Sequence, residues 1–453
     1  MPQSNTSKLY AVDLFAGVGG FRLALESVHG APYDFTLSCQ WEPSTRVQHA
    51  SMVYQKHWNE GTHLNEDIQS VLSSEEGRAR VRDAEIDLIC AGFPCQDYSV
   101  AKPLSLSRGL DGKKGALWWS IAQLLQQRNN AGRPVKYLML ENVDRLVSSP
   151  AGTRGRDFAV ILSTLRAMGY AVEWRVLNSA EYGHAQRRKR TYIVAYHETT
   201  GIYRKLRAAT VESGETPLTQ TLLYSAFPCS LKNPLDAVQP ALAVLPEPLN
   251  EQLAYRPLSN GRSHFGNIGL MVDGAVCTGT AKVAVILDFT LFSGRQEALT
   301  LGDIVRQTGP VPSDFYIKPE DESRWLQAKG AKISPRNANG FEYSYTEGAM
   351  SFPDSLDRPS RTIITSEGGT TPSRTKHAIR DAAGRLRRLT PEELESLNGF
   401  PRGFTEFDGV NDVTRARLMG NALVVPMIRR IGEALYREHL KCQETAQTAV
   451  TAS

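Results

Sequence analysis

Leu9-Tyr-Ala-Val-Asp-Leu-Phe15 runs into Ala16-Gly17-Val18-Gly19-Gly20 and then into the amphipathic stretch Phe21 to Val28. An apolar strand, a glycine-rich turn and a helix in that order open a nucleotide-binding βα unit. Glycines let the backbone come close to a ligand, and the helix amino terminus adds a positive dipole end. The dinucleotide fingerprint needs Gly-x-Gly-x-x-Gly, whereas this turn reads Gly17-Val-Gly19-Gly20-Phe-Arg22. The absent third glycine argues against a nicotinamide cofactor.

Outward from that unit, strands keep alternating with helical stretches. Phe35 to Trp41 reads as a strand and Thr45 to Trp58 as its helix; Val135 to Leu140 is another strand, running into Glu141-Asn142-Val143. Phe158 to Met168 reads as a helix, and Tyr170 to Leu177 and Thr191 to Tyr196 as further strands. The alternation predicts an α/β fold, a doubly wound and mostly parallel Rossmann-like sheet.

Between these lies Ile86-Asp-Leu-Ile-Cys-Ala91, followed by Gly92-Phe-Pro-Cys-Gln-Asp-Tyr-Ser99. A strand ending in Pro-Cys puts a thiol on a turn at the carboxyl edge of the sheet, where ligands of open α/β sheets bind. Lone cysteines are commonly small buried hydrophobes, and Cys90 inside the apolar run fits that description. Cys95, among Pro, Gln, Asp and Ser, reads as a candidate nucleophile, although the residue alone leaves both readings open. Glu141 falls just past a neighbouring strand on the same rim. It is either a strand-end cap or a working acid.

The chain has 453 residues, 41% hydrophobic and 22% charged, with a net charge of +4. That length suggests two or three domains in a soluble globular protein. The polar start Met-Pro-Gln-Ser-Asn-Thr-Ser-Lys does not resemble a secretory signal, and no apolar stretch is long enough to span a bilayer. Six cysteines without a Cys-x-x-Cys pair argue against a zinc ribbon or a disulfide framework, and no metal site is expected. A reducing cytoplasm suits a working thiol.

A mild net charge throws any case for nucleic-acid binding onto local clusters. His184-Ala-Gln-Arg-Arg-Lys-Arg190 is one, and Arg374 to Arg388 holds six Lys or Arg against one Asp. Such runs are usually solvated faces; either could also neutralise phosphates. Asp97 to Gly115 carries Gly109, Gly112 and Gly115 among Lys102, Arg108, Lys113 and Lys114, and is expected to be a basic lid beside Cys95. From about 198 the pattern turns irregular, with short strands such as Val283 to Leu287. Regular structure is expected again at Arg361 to Thr365, in the helix Pro391 to Leu397, and in a final helix from about Pro426 to Cys442.

Asp13-Leu-Phe-Ala-Gly-Val-Gly-Gly20, Gly92-Phe-Pro-Cys-Gln96, Glu141-Asn-Val143, Gln186-Arg-Arg-Lys-Arg190 and Gly420-Asn-Ala-Leu-Val-Val-Pro426 together resemble the ordered motif set of the DNA cytosine-5 methyltransferases. The resemblance implies S-adenosylmethionine as cofactor and a flipped cytosine in a specific double-stranded DNA sequence as substrate. The residue pattern itself reads 198–355 as a separate, smaller domain and the small, polar tail 443–453 as disordered; the resemblance makes 1–197 and 356–442 the catalytic and cofactor-binding domain and implies that 198–355 is the target-recognition domain. It also implies a cytoplasmic monomer, with a restriction–modification or phage-defence setting and a cognate nuclease as partner.

Carbon 5 of cytosine is a poor nucleophile, and a thiolate adding at carbon 6 makes it enamine-like, splitting one hard step in two. By resemblance, Cys95 is that nucleophile. Glu141 is the acid at N3, a role that needs burial once the base is in place. Arg188 and Arg190 lie beside the ring, with Gln186 in support. Residues 186, 188 and 190 share one face of an extended segment, while Arg187 and Lys189 point away. Cofactor contacts are implied at Asp13, Phe15, Gly17, Gly20, Trp41, Asp67, Ile68, Pro94, Leu117, Asn421 and Ala422. The family places a ribose-binding carboxylate one or two residues before this tryptophan. Here Cys39-Gln40 precede Trp41, leaving Glu42 as the nearest candidate. A tRNA cytosine-5 methyltransferase of the same fold is the alternative, and a non-catalytic DNA-binding relative is a third reading that the intact Cys95, Glu141 and Arg190 argue against.

Overall fold

In a computed structural model, the apolar strands of the amino-terminal half lie side by side. The structure describes residues 8–93, 116–149, 153–212, 217–232, 258, 260–283, 289–290, 295–307, 309–338 and 341–451. The chain divides into two compact units: residues 1–178, 189–287 and 425–453 form the first, and 179–188 with 288–424 the second.

The first unit is built on ten strands: β1 (Leu9–Leu14), β2 (Tyr33–Cys39), β3 (Thr62–Leu64), β4 (Leu88–Gly92), β5 (Tyr137–Val143), β6 (Tyr170–Asn178), β7 (Lys189–His197), β8 (Ser230–Lys232), β9 (Ile268–Val272) and β10 (Ala275–Lys282). Their order in the sheet is β3-β2-β1-β4-β5-β7-β6-β9-β10-β8. The half from β3 to β5 is parallel, with helices α1 (Gly20–Glu26), α2 (His49–His57), α3 (Ile68–Ser73), α4 (Glu75–Asp83) and α5 (Ala116–Asn130) in the connections. The chain winds outward from β1 through β2 to β3, then turns back through β4 to β5. The switch point therefore lies between β1 and β4, where open α/β sheets bind ligands.

From β7 onward each neighbouring pair is antiparallel. This half departs from the all-parallel alternation read in the sequence. No crossover helix separates β6 from β7, and strands joined without one return antiparallel. Helix α6 (Arg156–Ala167) precedes β6. At the β9–β10 hairpin, Asp273 and Gly274 both have positive φ, 51° and 86°, as a two-residue turn of matching twist requires.

The expected separate domain at 198–355 is therefore corrected. Its first part extends this sheet through β8, β9 and β10, and adds α7 (Gly201–Glu212) and α8 (Leu222–Ala226); the second unit resumes at 288. The join is a packed one. Gly269 pairs with Trp174 across β9 and β6, and a side chain at Gly269 would collide with the buried indole. Glu173 and Arg175, two residues apart on β6, hold α8 at both ends. Glu173 accepts from Leu222 N (3.1 Å), Leu223 N (2.8 Å) and the Tyr196 hydroxyl. Arg175 donates to the carbonyls of Leu223 (3.1 Å) and Phe227.

The carboxyl-terminal helix, Val425–Thr451, corrects the disordered tail expected after Cys442. Among the described residues, no helix is long and apolar enough to cross a membrane.

The second unit contains α9 (Leu301–Arg306), α10 (Glu322–Lys329), the ribbon β11 (Lys332–Ala338) with β12 (Phe341–Glu347), the short pair β13 (Ile379–Arg380) and β14 (Leu386–Arg387), α11 (Pro391–Leu397) and α12 (Asp412–Asn421). Thr390 and Glu393 close a capping box on α11. Arg361 to Thr365, expected as regular structure, forms no strand. Val283 to Leu287 lies outside the described residues apart from Val283.

Much of the basic run 374–388 is engaged within this unit, although Arg380 and Arg385 stay exposed. Arg387 makes a bidentate pair with Glu393, 2.8 and 2.7 Å, both side chains buried. Arg388 donates to Asp314 O (2.6 Å), Lys376 to Gly369 O and Thr371 O, and Arg374 pairs with Glu347 at 3.1 Å. Arg380 and Arg385 pair with Glu322 and Asp381, each at 2.9 Å. Asp314, Glu322 and Glu347 lie far from the run in sequence, which is why local charge counting does not show these partners.

Candidate active site

The rim of the parallel half carries the expected residues in strand order. At the end of β1 the chain turns sharply: Phe15, Gly17 and Gly19 have φ of 57°, 56° and 88°. Gly19 is obligatory, since a side chain there would enter the Trp58 ring, whereas a Cβ on Gly17 would meet nothing within 4 Å. Gly20 begins α1, and Phe15 packs against the core.

Asp13, the penultimate residue of β1, is 0% exposed, and neither carboxylate oxygen has a well-aligned hydrogen-bond partner. Burial holds its pKa well above the ordinary carboxylate range, opposed by the Arg22 charge. A buried acceptor group left unsatisfied is costly, and its place beside an open glycine turn is where a ligand donor would satisfy it.

The ends of β2 and β3 adjoin that turn. Ala16 N bonds Cys39 O (3.0 Å) and Gln40 N bonds Leu64 O (3.0 Å). Trp41 stands out, 41% exposed. Asp67 caps α3 by accepting from Gln69 N (3.2 Å), and Ile68 is buried behind it. Burial and the nearby Asp67, Glu66 and Asp13 charges push the Cys39 thiol to about 12, so it is an inert neighbour. Glu42 is half-buried, its amide held by Gln48 Oε1 (2.8 Å). Leu117, in the first turn of α5, packs on the core. Gln40, to which the sequence assigned no role, is buried and accepts from Gly17 N at 2.7 Å. It fixes the glycine turn from the neighbouring strand; a buried polar side chain at a strand end was its only signal.

At the ends of β4 and β5, Gly92 and Glu141 are in register. Arg190, at the start of antiparallel β7, sits opposite Val143 and brings Nε to 2.9 Å from Glu141 Oε1. The contact is an ion pair without aligned hydrogen-bond geometry, so the oxygen keeps acceptor capacity. Both side chains are mostly covered. Asn142 was quoted in the sequence but given no task. It is buried and donates Nδ2 to Phe93 O at 2.7 Å. β4 ends at Gly92, and the Asn142 amide takes the next carbonyl. Pro94, Cys95 and the basic segment 97–115 lie outside the described residues, apart from Phe93 immediately before them.

Gln186, Arg188, Asn421 and Ala422 belong to the second unit. Gln186 and Arg188 are buried while Arg187 and Lys189 are exposed, the alternation expected of an extended segment. Their polar atoms, however, are engaged by backbone groups and by Asn398. Gln186 Nε2 donates to Leu397 O (3.2 Å) and Asn398 Oδ1 (2.8 Å), and its Oε1 accepts from Ile363 N (3.1 Å). Arg188 donates to Ile363 O (3.2 Å) and Gly420 O (3.1 Å). Asn421 ends α12 and is exposed; Ala422 caps it.

A family model described as C-5 cytosine-specific DNA methylase matches residues 9–234 and 311–437. The chain is 39% identical over 438 residues to the Type II methyltransferase M.Sau3AI of Staphylococcus aureus, covering 95% of this chain and 96% of that protein. It is 25% identical over 452 residues to M.NlaIV of Neisseria lactamica, covering 94% and 98%. Among solved structures, the S. pombe Dnmt2 methyltransferase shares the fold, with a TM-score of 0.55 at 14% identity over 96% of this chain and 99% of that one.

The chain belongs to the C-5 cytosine-specific DNA methylase family. It is a DNA (cytosine-5) methyltransferase and takes its methyl group from S-adenosylmethionine. The residues present fit that cofactor: a buried carboxylate at Asp13, an open glycine turn at Gly17 and an exposed indole at Trp41 lie at or just past the carboxyl ends of the neighbouring strands β1 and β2.

Proposed function

We propose that the protein methylates a flipped-out cytosine within a specific duplex sequence through a covalent bond between Cys95 and carbon 6. The observation that carries this reading is the Glu141–Arg190 pair, set at the rim where β4 leads through Gly92 and Phe93 to Pro94-Cys95. The thiolate of Cys95 adds to carbon 6, and the displaced electron pair is received at N3, which Glu141 protonates. Arg190 steadies the Glu141 carboxylate and offers its remaining donors to the ring oxygen. After methylation, a solvent base takes the carbon 5 proton, the thiolate leaves, and N3 returns its proton to Glu141, which restores the aromatic ring.

For the cofactor, Asp13, Phe15, Gly17, Gly20, Trp41, Asp67, Ile68, Pro94, Leu117, Asn421 and Ala422 form the assigned contact set. Bound there, S-adenosylmethionine supplies an electrophilic methyl carbon. Asp13 offers an acceptor to its ammonium group, Trp41 an aromatic face, and Asp67 an acceptor to the adenine amino group. Glu42 remains the assigned ribose ligand. Gln40 keeps the turn in shape.

Sequence reading is assigned to the part of 198–355 that belongs to the second unit, 288–355. The interval that the family model skips, 235–310, falls within 198–355. The β11–β12 ribbon is the element best suited to the task, since a two-stranded ribbon fits the major groove of B-DNA. Ile333 on it is 67% exposed.

The resemblance to Type II methyltransferases supports a restriction–modification role, with a cognate nuclease and a cytoplasmic monomer as the working form. Expression in a methylation-free host, followed by mapping of 5-methylcytosine in DNA and tRNA, tests this. One short DNA sequence context is expected to carry the mark. Marks confined to tRNA, or none from a folded protein, would contradict it.

A further inference from the structure

We propose that Arg188 is a positioning residue for the cofactor segment Gly420–Asn421–Ala422 rather than a contact to the cytosine. The proposal rests on the assignment of Asn421 and Ala422 to the cofactor site.

The side chain of Arg188 is 3% exposed, and its two terminal nitrogens diverge to two carbonyls. Nη1 reaches Ile363 O at 3.2 Å and Nη2 reaches Gly420 O at 3.1 Å. Gly420 sits in the last turn of α12, where carbonyls lose their intrahelical partners and a cation is favoured. It also has no room for a side chain, because a Cβ would strike the backbone of Ile364 and Thr365. The helix end thus rests directly on the 363–365 strap, and the guanidinium bonds both.

Neighbouring side chains complete the hold. Asn398 Nδ2 donates to Met419 O at 2.8 Å, and Gln186 donates to Asn398 Oδ1 at 2.8 Å. Ile363 is held at its N–H by Gln186 Oε1 (3.1 Å) and at its C=O by Arg188. Two side chains on one extended segment therefore fix the strap and the helix end immediately before Asn421. Arginine is needed for this because its planar fork spans two acceptors; a lysine ammonium is a single point.

Calorimetric binding of S-adenosylhomocysteine to the full chain, without DNA, is the test. Arg188→Lys is expected to weaken binding roughly tenfold or more, the effect of losing a charge-assisted hydrogen bond. At saturating S-adenosylmethionine, its yield of covalent adduct with 5-fluorocytosine DNA is expected to stay within about twofold of wild type. Arg190→Lys is expected to do the reverse, sparing cofactor affinity and losing adduct. Unchanged S-adenosylhomocysteine affinity in Arg188→Lys, with adduct formation lost, would overturn the proposal in favour of a base contact. Asn421→Ala separates the two layers. If that variant binds normally, the cofactor assignment of the segment fails; if it binds weakly and Arg188→Lys binds normally, the positioning role fails. Should Arg188→Lys not fold, Asn398→Ala releases the adjacent Met419 carbonyl and is expected to weaken binding in the same direction; unaltered affinity there also overturns the proposal.

Discussion

Glu141 and Arg190 meet at 2.9 Å across β5 and β7, two strands that run in opposite directions because no crossover α-helix separates β6 from β7. Antiparallel pairing is what brings the first residues of β7 to the rim where β5 ends. A parallel β7 would put Arg190 at the far edge of the sheet. Glu141→Gln keeps the shape of the side chain and removes both the charge pair and the proton donor. Single-turnover methylation is expected to slow about a hundredfold or more, with S-adenosylhomocysteine affinity unchanged. A variant close to wild-type rate would remove Glu141 from the chemistry.

Asn142 holds the Phe93 carbonyl two residues before Cys95. Asn142→Ala removes this donor to the Phe93 carbonyl, a loss of about 0.5–1.5 kcal/mol. Adduct formation on 5-fluorocytosine DNA is expected to slow while the affinity for DNA stays level. Equal losses in both would make Asn142 a general stability residue.

Arg387 and Glu393 form a buried bidentate pair inside a run that reads as a DNA-binding patch. Arg387→Ala strands the Glu393 charge, and breaking a buried pair in this way costs about 3–5 kcal/mol. The urea midpoint is therefore expected to fall, while the slope of DNA affinity against salt stays that of wild type. A shallower slope in a folded variant would restore the phosphate-binding reading of 374–388.

Glu173 is the buried carboxyl that caps α8, and desolvation raises its pKa from 4.5 to about 7 despite the hydrogen bonds from Tyr196, Leu223 and Leu222 that oppose it. The folded state then binds a proton that the unfolded chain releases, so this contribution is full below about pH 4.5 and is lost as pH rises through about 7. Urea unfolding across that window is expected to show stability falling with pH, and Glu173→Gln to lack that fall while being less stable overall. The same slope in both proteins would place the effect elsewhere.

The parallel half was legible because its strands are apolar runs separated by helices, and because Asp13 to Gly20 marks the turn at the switch point. The antiparallel half was not. β9 and β10 are short and interrupted by Gly269 and Gly279, whose meaning depends on Trp174 and Leu218 packing over them; only Asp273-Gly274 announced the hairpin. Gln186 and Arg188 looked like partners of Arg190 because all three share a face. Their hydrogen bonds run to Ile363, Asn398 and Gly420, residues far along the chain that local sequence does not show. Likewise the helix past Cys442 is built from small polar residues that carry little periodic signal of their own.

The most direct measurement is mass spectrometry of the denaturation-resistant complex formed with 5-fluorocytosine duplex DNA and S-adenosylmethionine. The methylated base should be found bonded to the Cys95 sulfur, and Cys95→Ser should form no complex while still binding S-adenosylhomocysteine. A complex mapped to another residue, or methylation sustained by Cys95→Ser, would contradict covalent catalysis by Cys95.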